Sequence, residues 1–348
     1  MKSVLAIALF ALVAGQSTAQ STSPIDAIFA TDLGETRGAL LIRDGRVVAK
    51  RYSAGYSDAN RFVSWSMAKT ITAALVGELV ADGRLALDAP APVAEWQGAN
   101  APRRAITLRH LLTMSSGLRH TEVGDPVENS DTNQVLFVSG TNTMAARAIA
   151  QPLETKPGSK FEYSSLTTLL LSEIITRTLT DSSDPLVRAR IYQAFAEERL
   201  WKPTGIKSAV MDFDGAGTQI GGSIIYMTLD DYGRWGQLLL KGQAADKAQV
   251  IAPEWLAFMR APSARNAEYG GQTWLNRAGG ADAQPSLFPD KGPNTLFACI
   301  GHLGQFVIVS SDQDMVLVRL GKTDDSDPAF GRLRGTLGDI AAAIPVKG

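Results

Sequence analysis

Residues 64–83 read Ser64-Trp65-Ser66-Met67-Ala68-Lys69-Thr70-Ile71-Thr72-Ala73-Ala74-Leu75-Val76-Gly77-Glu78-Leu79-Val80-Ala81-Asp82-Gly83. Ala68, Ile71, Leu75 and Leu79 recur at helical spacing, so the stretch after Ser66 predicts a helix with a buried stripe, and Asp82-Gly83 supplies its C-terminal stop. Ser66 then falls at or near the first helical turn, and Lys69 shares its face. Of the twelve lysines only Lys69 has a serine three positions earlier. A serine hydroxyl is a poor nucleophile until its proton is removed. A partly buried lysine can remove it, because desolvation disfavours the ammonium and lowers its pKa. The Ser66 N–H, unpaired in a first turn, is free to face a developing oxyanion. On spacing alone a helix N-cap and a solvated amine account for this pair better; the rest of the chain decides between the readings.

Upstream, Ala39-Leu40-Leu41-Ile42, Asp44-Gly45 and Val47-Val48-Ala49 predict a β-hairpin over 37–52, with Asp-Gly giving the positive φ of a tight turn. Downstream, about 88–215 is punctuated by prolines and short helical patterns, a helical subdomain inserted between two halves of a sheet. Strand patterns return at 295–300, 306–310 and 315–320, the last two joined by Ser311-Asp312-Gln313-Asp314, and an amphipathic segment over 330–344 predicts a closing helix. Lys322-Thr323-Asp324 reads as a solvated turn. The expected class is α/β (α+β), an antiparallel sheet flanked by helices, in one domain over 20–348.

The 348 residues are 45% hydrophobic and 20% charged, enough for a large core. A net charge of −1 gives no basic field for nucleic acid. Lys2, the apolar run Val4 to Ala14 and Ser17-Thr18-Ala19 have the form of a secretory leader, 1–19, cleaved near Gln20. That run is too short to span a bilayer. The expected product is exported, periplasmic or secreted, without stable membrane insertion. Cys299 is the only cysteine and sits in an apolar run, so it reads as a buried small hydrophobe. His110, His120 and His302 lack metal-ligand spacing, and neither metal nor cofactor is implied. His110 reads as packing or capping and His120 as a residue after a turn. Trp65, Tyr269 and Trp274 are candidates for an acyl pocket or for core. No Gly-x-Ser-x-Gly elbow is present.

Ser66-Met67-Ala68-Lys69-Thr70 is followed in order by Leu108 to Leu118, Lys156 to Ser165, Gly221-Gly222, Thr228 to Gly236 and Gly301-His302-Leu303-Gly304-Gln305. Together these blocks resemble the serine β-lactamase-related hydrolases, of the class C-like type that includes 6-aminohexanoate-dimer hydrolases and family VIII carboxylesterases. The resemblance implies a β-lactamase/transpeptidase-like fold, Ser66 as nucleophile, and Tyr163 working with Lys69 on its proton. It places Ser165 at the motif's Asn position as a hydrogen-bond donor near substrate or Lys69, His302-Leu303-Gly304 at the third motif, and the Gln305 N–H as second oxyanion donor. Histidine in place of lysine at 302, mostly neutral at pH 7, argues against antibiotic hydrolysis. No acidic motif for deacylation is evident, so Tyr163 and Lys69 would serve both half-reactions.

The expected function is hydrolysis of a small-molecule ester or amide through an acyl-Ser66 enzyme. The alternatives are a β-lactamase or D-amino-peptide hydrolase and, from another class, a catalytically idle ligand-binding relative. Oligomeric state, acyl group and leaving group are not set by the sequence.

Overall fold

A computed structural model describes residues 23–98, 101–279 and 286–347. The leader 1–19 and its cleavage point lie outside the described residues. The strands are β1 (Glu35–Arg43), β2 (Arg46–Tyr52), β3 (Phe62–Val63), β4 (Val210–Met211), β5 (Ile225–Met227), β6 (Trp274–Leu275), β7 (Phe297–Gly301), β8 (Gln305–Ser310) and β9 (Met315–Lys322). Six form an antiparallel sheet in the order β2-β1-β9-β8-β7-β6, and β3, β5 and β4 form a small second sheet. The β1–β2 hairpin turns at Asp44 (φ 53°) and Gly45 (φ 72°), the left-handed pair that Asp-Gly predicts. Distant parts of the chain then close on each other: β1 pairs with β9 from Glu35↔Lys322 to Arg43↔Met315.

Both faces of this sheet are covered at β1, β9, β8 and β7, so these strands alternate between two cores rather than between core and water, while the edge strand β2 is largely exposed. Leu40, Ile42, Val316 and Val318 join the large core. Ala39, Leu41, Met315 and Leu317 face a smaller one, closed by Ile25, Ile28, Leu333 and Leu337. The helix Pro328–Ala343 supplies the last two residues, close to the predicted 330–344. Within 88–215 lie the helices Leu108–Leu112, Met144–Ala150, Ser165–Leu179 and Pro185–Ala196. His110 does cap: it forms a reciprocal capping box with Thr107.

The helix Ala68–Ala81 differs from its predicted single stripe, because every residue from Ala68 to Leu79 is buried. It is the central helix, packed against Ser165–Leu179, and small or β-branched residues line the faces that lack large hydrophobes. A lysine on its first turn is therefore interior.

The predicted solvated turn at 322–324 needs correction at its middle residue. Thr323 is buried, its hydroxyl donates to the Leu33 carbonyl at 2.7 Å, and Arg319 donates to it at 2.7 Å. Arg319 is itself buried and also donates to Leu303 O (3.2 Å), Gly304 O (2.8 Å), Glu35 O (2.9 Å) and Thr36 Oγ1 (3.1 Å). One guanidinium thus ties the β7–β8 turn to β1 and to the end of β9. Arg319→Leu leaves several buried carbonyls unpaired and is expected to cost about 3 kcal/mol or more, measured by denaturant unfolding. Stability within about 0.5 kcal/mol of the parent would show this clamp to be dispensable.

Candidate active site

Ser66 lies in a single 3-10 turn, Trp65–Met67, that leads into the central helix. The turn is held from two sides. Ser64 N donates to Ile225 O at 2.8 Å and Ser64 Oγ accepts from Ile225 N at 3.1 Å, pinning it to β5. On the other side β7 ends at Gly301, where any β-carbon would run into the Ser64 carbonyl oxygen. Between these supports Trp65 adopts φ 45°, a strained value for a bulky residue that the flanking contacts maintain.

Lys69 is 1% exposed and its Nζ meets three acceptors: Ser66 Oγ at 2.9 Å, Ser165 Oγ at 2.9 Å and Gly222 O at 2.7 Å. Gly222 brings its carbonyl this close because a side chain there would press on Ser165 O, 2.9 Å from the β-carbon position. Burial pushes the Lys69 amine down to about 8, with the negative charge of Glu122 opposing. Tyr163 lines the same space, its ring 4.9 Å from Lys69 Nζ. Its phenol is pushed well up, first by burial and then by Glu122, with a contact to Ser66 acting in the opposite sense. Near neutral pH, then, the lysine is the group of the pair that can release its proton, and the tyrosine remains a phenol.

Glu122 is the residue that sequence reading missed. Its Oε1 accepts from Ser165 Oγ at 2.6 Å, and its Oε2 accepts from Ser165 N at 2.7 Å, His120 Nε2 at 2.6 Å and Thr132 Oγ1 at 2.8 Å. Burial raises its pKa, but the His120 hydrogen bond and the Lys69 charge outweigh that and hold it down to about 2. His120 is accordingly a partner of this carboxylate rather than a turn residue. The available signal was a histidine and a glutamate two apart, immediately beyond Leu108 to Leu118.

Ser66, Tyr163, Ser165, Glu122 and His302 open on one cavity of about 570 Å³. Trp65, Val127, Leu136, Phe137, Trp274 and Phe330 supply much of its apolar wall. Tyr269 does not line it; it is buried and packs edge-on to Tyr163 and Trp274. His302 packs its edge against Trp65 and binds Asp325 through Nδ1 at 2.7 Å. The hydrogen bond to that carboxylate raises the histidine pKa, with burial opposing, so the sequence expectation of an unpartnered ring is replaced by an Asp325-paired one. Gln305 and Gly304 stand apart from the cavity lining. The Gln305 side chain is buried in the hairpin, donating to His302 O (3.1 Å), Leu303 O (3.1 Å) and Gly321 O (2.6 Å). Gly304 completes a left-handed turn with Leu303 (φ 77° and 60°). Of the two arms it is the one before the turn that shares the cavity with Ser66, through Ile300, Gly301 and His302, with Gly301 packed against Ser64 and Trp65. Cys299 is buried, its thiol pushed up to about 11 by burial. Among the described residues no group of three or more His, Cys, Asp or Glu is placed to hold a metal, and no helix is long and apolar enough to cross a membrane.

The family model described as Beta-lactamase matches residues 25–341. The 6-aminohexanoate-dimer hydrolase of Paenarthrobacter ureafaciens is 24% identical over 328 residues, spanning 88% of this chain and 78% of that protein. Among solved structures, a candidate 6-aminohexanoate-dimer hydrolase from Bacillus anthracis superposes with a TM-score of 0.70 at 22% identity, over 88% of this chain and 79% of the other. The hydrolase EstCE1, with promiscuous acyltransferase activity, gives 0.66 at 17% identity over 92% and 98%. At these identities the superpositions establish the fold.

Because the Glu122 pKa is lowered on folding from 4.5 to about 2, the carboxylate adds stability above its unfolded value, and that contribution is lost as pH falls toward 2. The span corresponds to about 3 kcal/mol. Glu122→Gln is therefore expected to flatten the decline in unfolding free energy between pH 5 and pH 2.5, measured by urea unfolding. An unchanged decline would mean that Glu122 titrates normally.

Proposed function

This chain belongs to the beta-lactamase family, and from that premise we propose that it hydrolyses an ester or short amide through a covalent acyl-Ser66 intermediate. The observation that carries the proposal is the buried Lys69 amine 2.9 Å from the Oγ of Ser66, which lines a cavity of about 570 Å³. Neutral Lys69 takes the Ser66 proton as Oγ bonds to the substrate carbonyl carbon. The resulting oxyanion faces the Ser66 N–H and main-chain N–H groups of the Gly301–His302 arm. As the bond to the leaving group breaks, Tyr163 donates its phenolic proton to it and recovers one from the Lys69 ammonium. Water then attacks the acyl carbon as Lys69 takes its proton, and Lys69 returns that proton to Ser66 Oγ as the acyl–oxygen bond breaks and the acid leaves.

The walls supply the substrate preference. Apolar side chains supply much of the wall around Ser66, and Glu122, the His302–Asp325 pair and Arg334 are the ionisable groups on the lining. An ester or amide with an apolar substituent fits the apolar part of this lining. Similarity to the 6-aminohexanoate-dimer hydrolase and to EstCE1 supports the same class.

A nitrophenyl butyrate assay is the direct test. Ser66→Ala and Lys69→Met should each reduce kcat/KM by about a thousandfold or more with the fold intact. In the parent protein kcat/KM should rise through pH about 8 as Lys69 loses its proton. A serine-directed phosphonate should label the parent and not Ser66→Ala. Equal rates in parent and Ser66→Ala would remove Ser66 from the mechanism, and absence of both turnover and labelling would favour an idle binding protein.

A further inference from the structure

Neutral Lys69 has two N–H bonds and one lone pair, and catalysis needs that lone pair aimed at the Ser66 hydroxyl. Its three neighbours differ in what they offer. Gly222 O only accepts, whereas the Ser66 and Ser165 hydroxyls can each donate or accept. If the Ser165 hydrogen pointed at Lys69, it would occupy the lone pair and leave an N–H toward Ser66, the wrong polarity for proton removal. The Ser165 hydrogen is taken elsewhere: Ser165 Oγ donates to Glu122 Oε1 at 2.6 Å, and the same carboxylate holds the Ser165 N–H through Oε2 at 2.7 Å.

We propose that Glu122 is a positioning residue that, by claiming the Ser165 hydrogen, makes Ser165 an acceptor and so directs the lone pair of Lys69 to Ser66. The assignment rests on the reading of Lys69 as the base. The carboxylate suits the task because it is acceptor-only when ionised, and it is fixed by donors on both oxygens. His120 Nε2 and Thr132 Oγ1 bind Oε2 from the loop and the short helix Asp131–Asn133, which leaves Oε1 to the Ser165 hydroxyl. The titratable groups that face this carboxylate are His120, Lys69, Tyr163 and Tyr269, with Asp131 acting on His120 from behind.

An amide at 122 reverses the polarity. The single oxygen of Glu122→Gln best serves the three donors at the Oε2 position, so its NH₂ faces Ser165 Oγ and turns the Ser165 hydrogen toward Lys69. Removing the hydroxyl altogether is milder, because Ser165→Ala leaves no competing donor.

The test measures kcat and the rate of Ser66 phosphonylation from pH 6 to 10 for Glu122→Gln, Ser165→Ala and the double variant, with thermal unfolding as the fold control. Glu122→Gln should lower the alkaline plateau by about a hundredfold, the typical value of a well-aimed general base. Ser165→Ala should lower it less, and the double variant should match Ser165→Ala within about threefold, since Glu122 then has no hydroxyl to orient. A Glu122→Gln plateau equal to the parent's, with only the pH limb displaced, would assign Glu122 a charge effect alone and overturn the proposal. So would a Glu122→Gln loss of the same size in both backgrounds. If Glu122→Gln does not fold, Glu122→Asp, whose shorter arm releases Ser165 Oγ, must show the same ranking against Ser165→Ala. Failure of the underlying reading is separately visible, because Lys69→Met would then retain the parent rate.

Discussion

The architecture turns on keeping one lysine amine out of water beside one serine hydroxyl. Exposed, Lys69 would hold its proton to pH values where it is useless as a base; buried, it can release it near neutrality. Everything around the first turn of the central helix serves that desolvation. The helix is buried on all sides, the Gly221-Gly222 loop closes over its start, and Ser165–Leu179 packs along its flank. A solvated surface amine and a buried one beside a serine hydroxyl have the same local sequence spacing. The difference between them is made by residues more than ninety positions away, which is why Ser-x-x-Lys is a weak signal alone and a strong one among the other blocks.

Burying a cation carries a desolvation penalty that must be met locally. Gly222 O and two hydroxyls satisfy the hydrogen bonds of Lys69 but bring no charge. Glu122 brings it, separated from the amine by Ser165. This spacing matters for chemistry. A carboxylate in direct contact with Lys69 would hold the proton on the amine, whereas one acting through a hydroxyl partly compensates the ammonium while the amine stays accessible to Ser66. The interposed serine is thus a compromise between stabilising the buried charge and leaving it titratable.

Much of the fold was legible because it depends on local signals. The Asp44-Gly45 turn, the strand runs from 295 to 320, the closing helix and the helix after Ser66 each follow from periodicity and turn chemistry over a few residues. Ser66, Lys69, Tyr163 and Ser165 converge as the ordered blocks implied. What escaped was non-local or depended on direction. The stripe Ala68, Ile71, Leu75, Leu79 could not reveal that the opposite face of its helix is also covered. Nothing near His120 or Glu122 shows that a loop folds back onto the start of Ser165–Leu179. The His302 charge state depends on Asp325, 23 residues on.

The β7–β8 turn shows most clearly how position and role part company. Read as a string, Gly301-His302-Leu303-Gly304-Gln305 suggests that the last residue follows the motif into the site. In three dimensions the chain reverses within it, so its two arms face different surroundings. Gly301 and His302 reach the cavity, while Gln305 and the Arg319 guanidinium hold the far arm and the turn carbonyls from inside. Both holders donate to the Leu303 carbonyl, and Arg319 also donates to Gly304 O. The turn is therefore fixed by buried donors on one side, and Asp325 holds it on the other through His302 Nδ1 at 2.7 Å and Leu303 N at 3.2 Å. A main chain braced in this way is the kind of rigid backbone that the proposed mechanism requires, because freedom from reorganisation is what makes backbone N–H groups effective toward an oxyanion.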